Sequence, residues 1–194
     1  MRLTVLGLLT LLACLIGCGS ATQTDALYHR SLPNLIDITG TAFIQDGALP
    51  VESTCGGGGQ SPALFYANTV PGALSYAVTM TGALPADAPT GSDSTNLLVY
   101  NIPPSVSRLP SQLTPVAVGQ LGAVMGKNGR GQTGYWAPCP PPGRQPYLFR
   151  VYALNAFLPA DSPLNRAGLL EAMRGHVLAY GELRGYVYAS PKKP

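Results

Sequence analysis

Proline and glycine punctuate this chain so densely that it can only fold as short segments joined by turns. They account for 19 and 23 of its 194 residues. Three clusters are decisive: Thr54-Cys55-Gly56-Gly57-Gly58-Gly59, Val70-Pro71-Gly72 and Pro140-Pro141-Pro142-Gly143. None can continue a helix or a central strand, because proline lacks an N–H and glycine carries the largest backbone entropy. Between these breaks lie runs of β-branched and aromatic residues: Leu64 to Tyr66, Leu74 to Met80, Asn96 to Ile102 and Tyr147 to Leu154. These are the residue types that suit a half-buried pleated surface.

One helix is expected. Asp161-Ser162-Pro163 offers a capping residue and an early proline, Leu164, Ala167, Leu170, Ala172 and Met173 follow at helical spacing, and Gly175 offers a stop. Val177 to Tyr188 then reads as a last strand, with Gly181 and Gly185 as bulges or close approaches. The pattern predicts a mainly β domain with a late helix at its edge and no internal repeat.

The N-terminus carries an address. Met1-Arg2 is followed by an apolar run from Leu3 to Ile16, shorter than the roughly 20 residues a membrane span needs and of signal-peptide length. Its end, Leu15-Ile16-Gly17-Cys18, resembles a bacterial lipobox. The expected boundaries are a signal peptide over 1–17, a lipidated tether over 18–35, a β domain over 36–190 and a tail over 191–194. Cys18 would then anchor the protein to a membrane of the bacterial cell envelope. Gly19, where inner-membrane retention would call for Asp, favours an outer-membrane or periplasm-facing position.

Cleavage would leave 177 residues, enough for one domain with a sizeable core. The loss of Arg2 lowers the net charge from +3 to +2. The remaining basic residues are scattered, with only Lys192-Lys193 adjacent, so the clustered stripe that nucleic acid requires is missing and no nucleic-acid partner is expected. The folded domain would keep two thiols, Cys55 and Cys139. An oxidising compartment favours a bridge over two buried free thiols. Such a bridge would close a loop of about 84 residues, contributing about 3–4 kcal/mol in the loop-entropy picture. With no histidine nearby in sequence, the pair alone is a poor metal site, and neither metal nor cofactor is expected.

Several segments, in order, resemble the phosphatidylethanolamine-binding family in its bacterial Raf-kinase-inhibitor-like branch of YbhB/YbcL type. Thr54-Cys55 with its glycines and Ser61 to Leu64 resemble that family's first loop and strand. Pro85-Ala86-Asp87-Ala88-Pro89-Thr90-Gly91 stands where the family writes D-P-D-A-P-T-G, and Val99 to Pro103 matches the strand end that follows. Gly134 to Pro141 resembles G-Y-x-G-P-C-P-P, Tyr147 to Leu154 the next strand, and Ala172 to Ala179 the exit of the last helix. The resemblance implies a Greek-key β-sandwich with helices at its edge and a small anion-binding pocket at one end.

In the family that pocket is walled by the first Asp of D-P-D-x-P, a His in W-x-H-W and a His in H-R-Y. Ungapped alignment puts Pro85, Asn96 and Gln145 at these three positions, with Pro146 at the Arg. Asp87, Pro138, Pro140 and Tyr147 remain as scaffold, alongside Pro89 and Pro141. Loss of two imidazoles removes charge-assisted bonds worth roughly 1.5–3 kcal/mol each. An altered pocket is therefore expected, with Asn96, Tyr135, Pro138, Gln145 and Tyr147 as its contact set for a small polar ligand or a protein partner in the envelope. The alternative is a structural lipoprotein whose pocket is vestigial and whose contacts run through loops such as 110–131, the longest stretch without clear periodicity.

Catalysis is not expected. No G-x-S-x-G elbow occurs, and the only histidines after the signal are His29 in the tether and His176 after the helix. Gly56 to Gly59 lack the Lys-Ser/Thr ending of a phosphate loop and read as a flexible turn. Tyr135-Trp136 beside the proline-rich loop could stack a ligand ring or simply form a wall.

Overall fold

The structure, a computed structural model, describes residues 33, 36–67, 69–85 and 88–189. The expected signal peptide, Cys18, the tether but for Pro33, Asp87 and the tail lie outside these residues. Within them the chain forms a three-stranded and a six-stranded sheet. The smaller holds β1 (Ile38–Gly40), β3 (Leu64–Tyr66) and β6 (Arg108–Leu109) in the order β1-β3-β6. The larger is built from β2 (Gly47–Ala48), β4 (Ser75–Gly82), β5 (Thr95–Ile102), β7 (Val124–Met125), β8 (Gly143–Leu154) and β9 (Val177–Ala189). Its order is β2-β9-β8-β4-β5-β7, antiparallel throughout except for β2 against β9.

The two faces of the larger sheet bury different partners. Val78, Met80, Leu97, Val99, Phe149 and Val151 meet Ile38, Leu64, Tyr66 and Leu109 of the smaller sheet. On the opposite face Leu98, Tyr100, Tyr152 and Leu154 meet Leu158, Leu169 and Met173, the last two carried by α2 (Arg166–Ala172) and its exit. Strands buried on both faces read as continuous apolar runs rather than alternating ones, which is why Leu97-Leu98-Val99-Tyr100 shows no period of two. Each fully buried aliphatic or aromatic side chain contributes about 1.5–3 kcal/mol relative to exposure.

Two close contacts shape the sandwich. A Cβ at Gly181 would lie 1.9 Å from the carbonyl oxygen of Ile36, so glycine there admits the entering chain against β9. In β5 the pairing with β4 slips between Tyr76 and Val78, leaving Tyr100 and Asn101 opposite Ala77 alone. Asn101 takes the left-handed conformation (φ 56°), which asparagine tolerates better than most residues. Its amide then grips Leu158 both ways, donating to the carbonyl at 2.9 Å and accepting from the N–H at 2.8 Å.

Four local readings differ from the sequence. The late helix begins at Arg166 and is capped by Asn165, whose side chain accepts from the Gly168 N–H, not by Asp161. Residues 162–164 lie outside the helix instead: the Leu164 N–H donates to the buried Tyr100 hydroxyl at 3.3 Å. Strand β8 starts at Gly143, four residues before Tyr147, and includes Pro146. The proline is tolerated because β4 ends at Gly82 opposite Tyr147, leaving that end of β8 with β9 alone. The segment 110–131 contains β7 and a short helix, α1 (Pro115–Gln120), capped by Thr114 with Pro115 in its first turn.

Candidate functional site

Three loops at one end of the sandwich enclose a cavity of about 250 Å³. Its wall is Cys55, Pro85, Ala88, Arg130, Trp136, Ala137 and Cys139.

The first loop follows a single 3-10 turn at Val51–Ser53. The Thr54 hydroxyl donates to the Val51 carbonyl at 2.8 Å and accepts from the Gly56 N–H at 3.2 Å. The Thr54 carbonyl accepts from both Gly57 and Gly59. A Cβ at Gly57 would lie 2.1 Å from the Val51 oxygen, so the glycines build a compact hydrogen-bonded turn where a flexible one was expected.

The second loop is carried against the first by three links. Cys55 and Cys139 form a disulfide with their Cα atoms 5.3 Å apart. The Cys55 N–H donates to the Pro138 carbonyl at 2.9 Å, and the Tyr135 hydroxyl donates to the Ser53 carbonyl at 2.7 Å. Pro138 is buried beside the bridge and Pro140 half-buried after it.

Two buried asparagines hold the same loop, Asn96 from β5 and Asn128 from the turn before it. Asn96 donates from Nδ2 to the Trp136 carbonyl at 2.7 Å, and the Trp136 N–H donates to the Asn96 carbonyl at 2.8 Å. Its Oδ1 is buried with no hydrogen-bond partner among the described residues. Asn128 organises the turn before it: Oδ1 accepts from the N–H groups of Arg130 and Gln132 at 3.0 and 3.3 Å, and Nδ2 donates to the Gly134 carbonyl at 3.2 Å. That turn, closed by the Lys127–Thr133 bridge, presents an exposed Arg130 with its guanidinium 5.2 Å from the centre of the Trp136 ring.

The third loop leaves β4 at Gly82, where a Cβ would collide with the Tyr147 ring at 1.9 Å. The Tyr147 hydroxyl donates to the Ala83 carbonyl at 3.2 Å, two residues before Pro85. Burial pushes the Tyr147 phenol up, and burial together with the neighbouring Tyr147 pushes up that of Tyr135. Both phenols therefore stay protonated and spend their hydrogens on backbone carbonyls.

Of the residues expected to form the pocket, Pro85 lines the cavity, as do the two cysteines expected to bridge. Tyr135, Pro138 and Pro140 ride on the bridged loop, while Asn96 and Tyr147 hold backbone on its two sides. Gln145 sits half-buried on β8 opposite Val187 and is not part of the wall. The sequence reading passed over Arg130, Ala88 and Ala137. Asn128-Gly129-Arg130-Gly131 was a usable signal, since Asn-Gly marks a tight turn that displays the next side chain. His176 lies outside the site, its Nδ1 2.9 Å from the Asn155 side-chain oxygen. Among the described residues, no three His, Cys, Asp or Glu side chains gather where a metal ion could bind.

Comparison with known proteins extends this picture. The family model for the phosphatidylethanolamine-binding protein matches residues 39–189. A UPF0098 protein of Chlamydia muridarum is 35% identical over 151 residues, covering 77% of this chain and 97% of that one. The UPF0098 protein YbcL of Escherichia coli is 40% identical over 121 residues, covering 60% and 63%. Among solved structures, a homologue of the phosphatidylethanolamine-binding protein from Chlamydia trachomatis superposes with a TM-score of 0.70 at 31% identity, covering 81% of this chain and 99% of that one. Escherichia coli YbcL, described as a new member of the mammalian family, superposes with a TM-score of 0.68 at 29% identity, covering 80% and 99%. This chain belongs to the phosphatidylethanolamine-binding protein family.

Proposed function

We propose that this protein is a lipid-anchored, non-catalytic binding protein of the bacterial cell envelope, tethered through Cys18, which takes a small polar ligand, or one group of a protein partner, in a pocket altered from the family's. The observation that carries the reading is the cavity bounded by the Cys55–Cys139 bridge, Pro85 and Trp136. Its described wall contains neither an imidazole nor a carboxylate, and the two nearby phenols are already engaged with carbonyls. A nucleophile with its base is missing from that described wall, whereas recognition needs only shape and a few polar groups.

The test is thermal unfolding of the purified mature chain with a panel of small carboxylates, phosphates, amides and sugars. Wild type is compared with Ala88→Trp, which fills the cavity. A compound that binds only the native state raises the midpoint, by about 2.7 kcal/mol of stability at a hundredfold excess over its dissociation constant. A rise seen in wild type and lost in Ala88→Trp supports the reading. No rise with any compound would leave the pocket vestigial and direct attention to protein contacts. Anchoring is checked separately by fatty-acid labelling, expected for wild type and lost in Cys18→Ser.

A further inference from the structure

We infer that the end of the sandwich opposite the cavity is a membrane-docking surface. Leu74 and Phe157 enter the lipid interface to which Cys18 anchors the chain, and the cavity points away from it. The inference rests on the lipid-anchored reading above and adds the orientation of the domain.

Strand direction defines the two ends of the larger sheet. The cavity lies where β4 ends and β5 and β8 begin, since Pro85 follows Gly82, Asn96 holds Trp136 and Cys139 precedes Gly143. The other end gathers the start of β4, the end of β8 and the start of β9: Ser75 pairs with Leu154, and Leu154 with Val177. The chain enters near that end. The Tyr180 N–H donates to the Pro33 carbonyl at 3.0 Å, and the Ile36 N–H donates to the Tyr180 carbonyl at 3.2 Å. Pro33 and Ile36 therefore flank Tyr180 in the parallel sense, so the chain comes in from the side away from the cavity. Fifteen residues, 18–32, would join the anchor to Pro33, with a reach of at most about 50 Å. Turning the cavity towards the membrane would use about 30 Å of that reach to retrace β9 from Tyr180 to Ala189. The near end needs none of it.

The near end is also the one suited to losing water. Leu74 is 50% exposed and Phe157 63%. Their stretches of sequence, 69–75 and 154–160, contain no charged residue, so entering lipid strips no ion there of its water. Exposed apolar side chains elsewhere keep charged company: Phe65 lies under Arg108, Tyr188 pairs across with Arg144, and Glu52 follows Val51. Both protrusions are held in place. The Leu74 N–H donates to the Leu154 carbonyl at 2.7 Å, and the Ser75 hydroxyl to the Ala156 carbonyl at 2.6 Å, next to Phe157. Gly72, in the turn before Leu74, backs onto Leu178, whose Cδ1 would lie 3.8 Å from a Cβ there. At the head of β9, the exposed Arg174–Glu171 pair and His176, bonded to Asn155, suit the headgroup layer. Leucine and phenylalanine are the side chains that amphipathic surface helices bury about 5–10 Å into the interface. Anchoring makes the contact intramolecular, so a weak one suffices.

The test uses the lipidated chain in vesicles of phosphatidylcholine and phosphatidylglycerol, with and without brominated acyl chains, which quench tryptophan on contact. Trp136, the sole tryptophan, reports the cavity end. Phe157→Trp in a Trp136→Phe background reports the other. Brominated lipid should remove most of the variant's fluorescence and little of the wild type's. Adding Leu74→Asp, with folding checked by the urea midpoint, should abolish that quenching while the protein still floats with the vesicles. An unquenched variant, wild type quenched as strongly as the variant, or quenching that survives Leu74→Asp would overturn the docking and leave the anchor intact. So would fluorescence that responds to protein density and not to bromine, the mark of a second copy on the patch. If wild type does not float, or Cys18→Ser floats equally, the anchor reading falls and this orientation with it.

Discussion

The β4–β5–β8–β9 sheet and the loops that enclose the cavity are held together by different physics. Side chains such as Met80, Leu97 and Phe149 are wholly buried and touch many neighbours, so sheet stability is spread over a large apolar area. The loops around Cys55, Arg130 and Cys139 bury mainly polar residues such as Ser53, Thr54 and Asn128. They depend on one disulfide, two asparagine amides and two tyrosine hydroxyls, each aimed at a named backbone group. The difference teaches that the sheet should lose stability gradually with many substitutions, whereas the cavity should fail abruptly at a few.

The largest effect should come from the sheet. Phe149→Ala removes a ring packed 5.2 Å from that of Phe43 and should cost the whole domain about 3–5 kcal/mol, read from the urea midpoint and slope. Second comes the joint replacement Cys55→Ser with Cys139→Ser. It should lower stability by about 3–4 kcal/mol through the freed unfolded chain, read from the same midpoints with and without reductant on wild type. If the double variant unfolds at the wild-type midpoint, the loops do not depend on the bridge and the contrast collapses.

Asn128→Ala should sharpen the contrast instead. It leaves two N–H groups and a carbonyl without their partner, a local cost of about 1–3 kcal/mol. Amide exchange at Arg130 and Gln132 should accelerate while β4 and β8 stay protected. Uniform acceleration across the domain would show that loop and sheet open together.

The smallest effect lies at the surface. The Arg184 guanidinium donates to Asp46 and holds that carboxyl below its usual range. A depressed folded value means that its contribution is present above the carboxylate range and lost as pH falls through it. From about pH 6 down to about pH 3, wild type should therefore lose slightly more midpoint temperature than Asp46→Asn. Equal losses would show that this ion pair does not contribute.

The sheet was legible in the sequence for the reason it is robust. Many residues report the same pattern, so Leu64 to Tyr66 and Val177 to Tyr188 were readable without knowing a single contact. Gly181 announced a close approach, which the Ile36 carbonyl supplies. The helix start was not readable, because Asp161 and Asn165 are equally good caps. The choice between them is made by the Tyr100 hydroxyl 64 residues away, which holds Leu164 out of the helix. The cavity was half legible: its cysteines, Pro85 and the Tyr135-Trp136 dipeptide stood out, while Arg130 did not. Its significance depends on Asn128 folding the turn beneath it and on Trp136 lying within reach, and neither is a property of local spacing.

The bridge across the cavity wall also sets an order of events. Collapse of an apolar core takes microseconds, whereas a disulfide waits seconds to hours for an oxidant. A newly collapsed copy would therefore bury its apolar core before the bridge at the cavity wall is closed. Until Cys55 meets Cys139, the hydrogen bonds that join the two loops among the described residues are those to the Pro138 carbonyl and from the Tyr135 hydroxyl. Under the envelope location proposed above, the cavity wall would be completed only once an oxidant has closed that bridge.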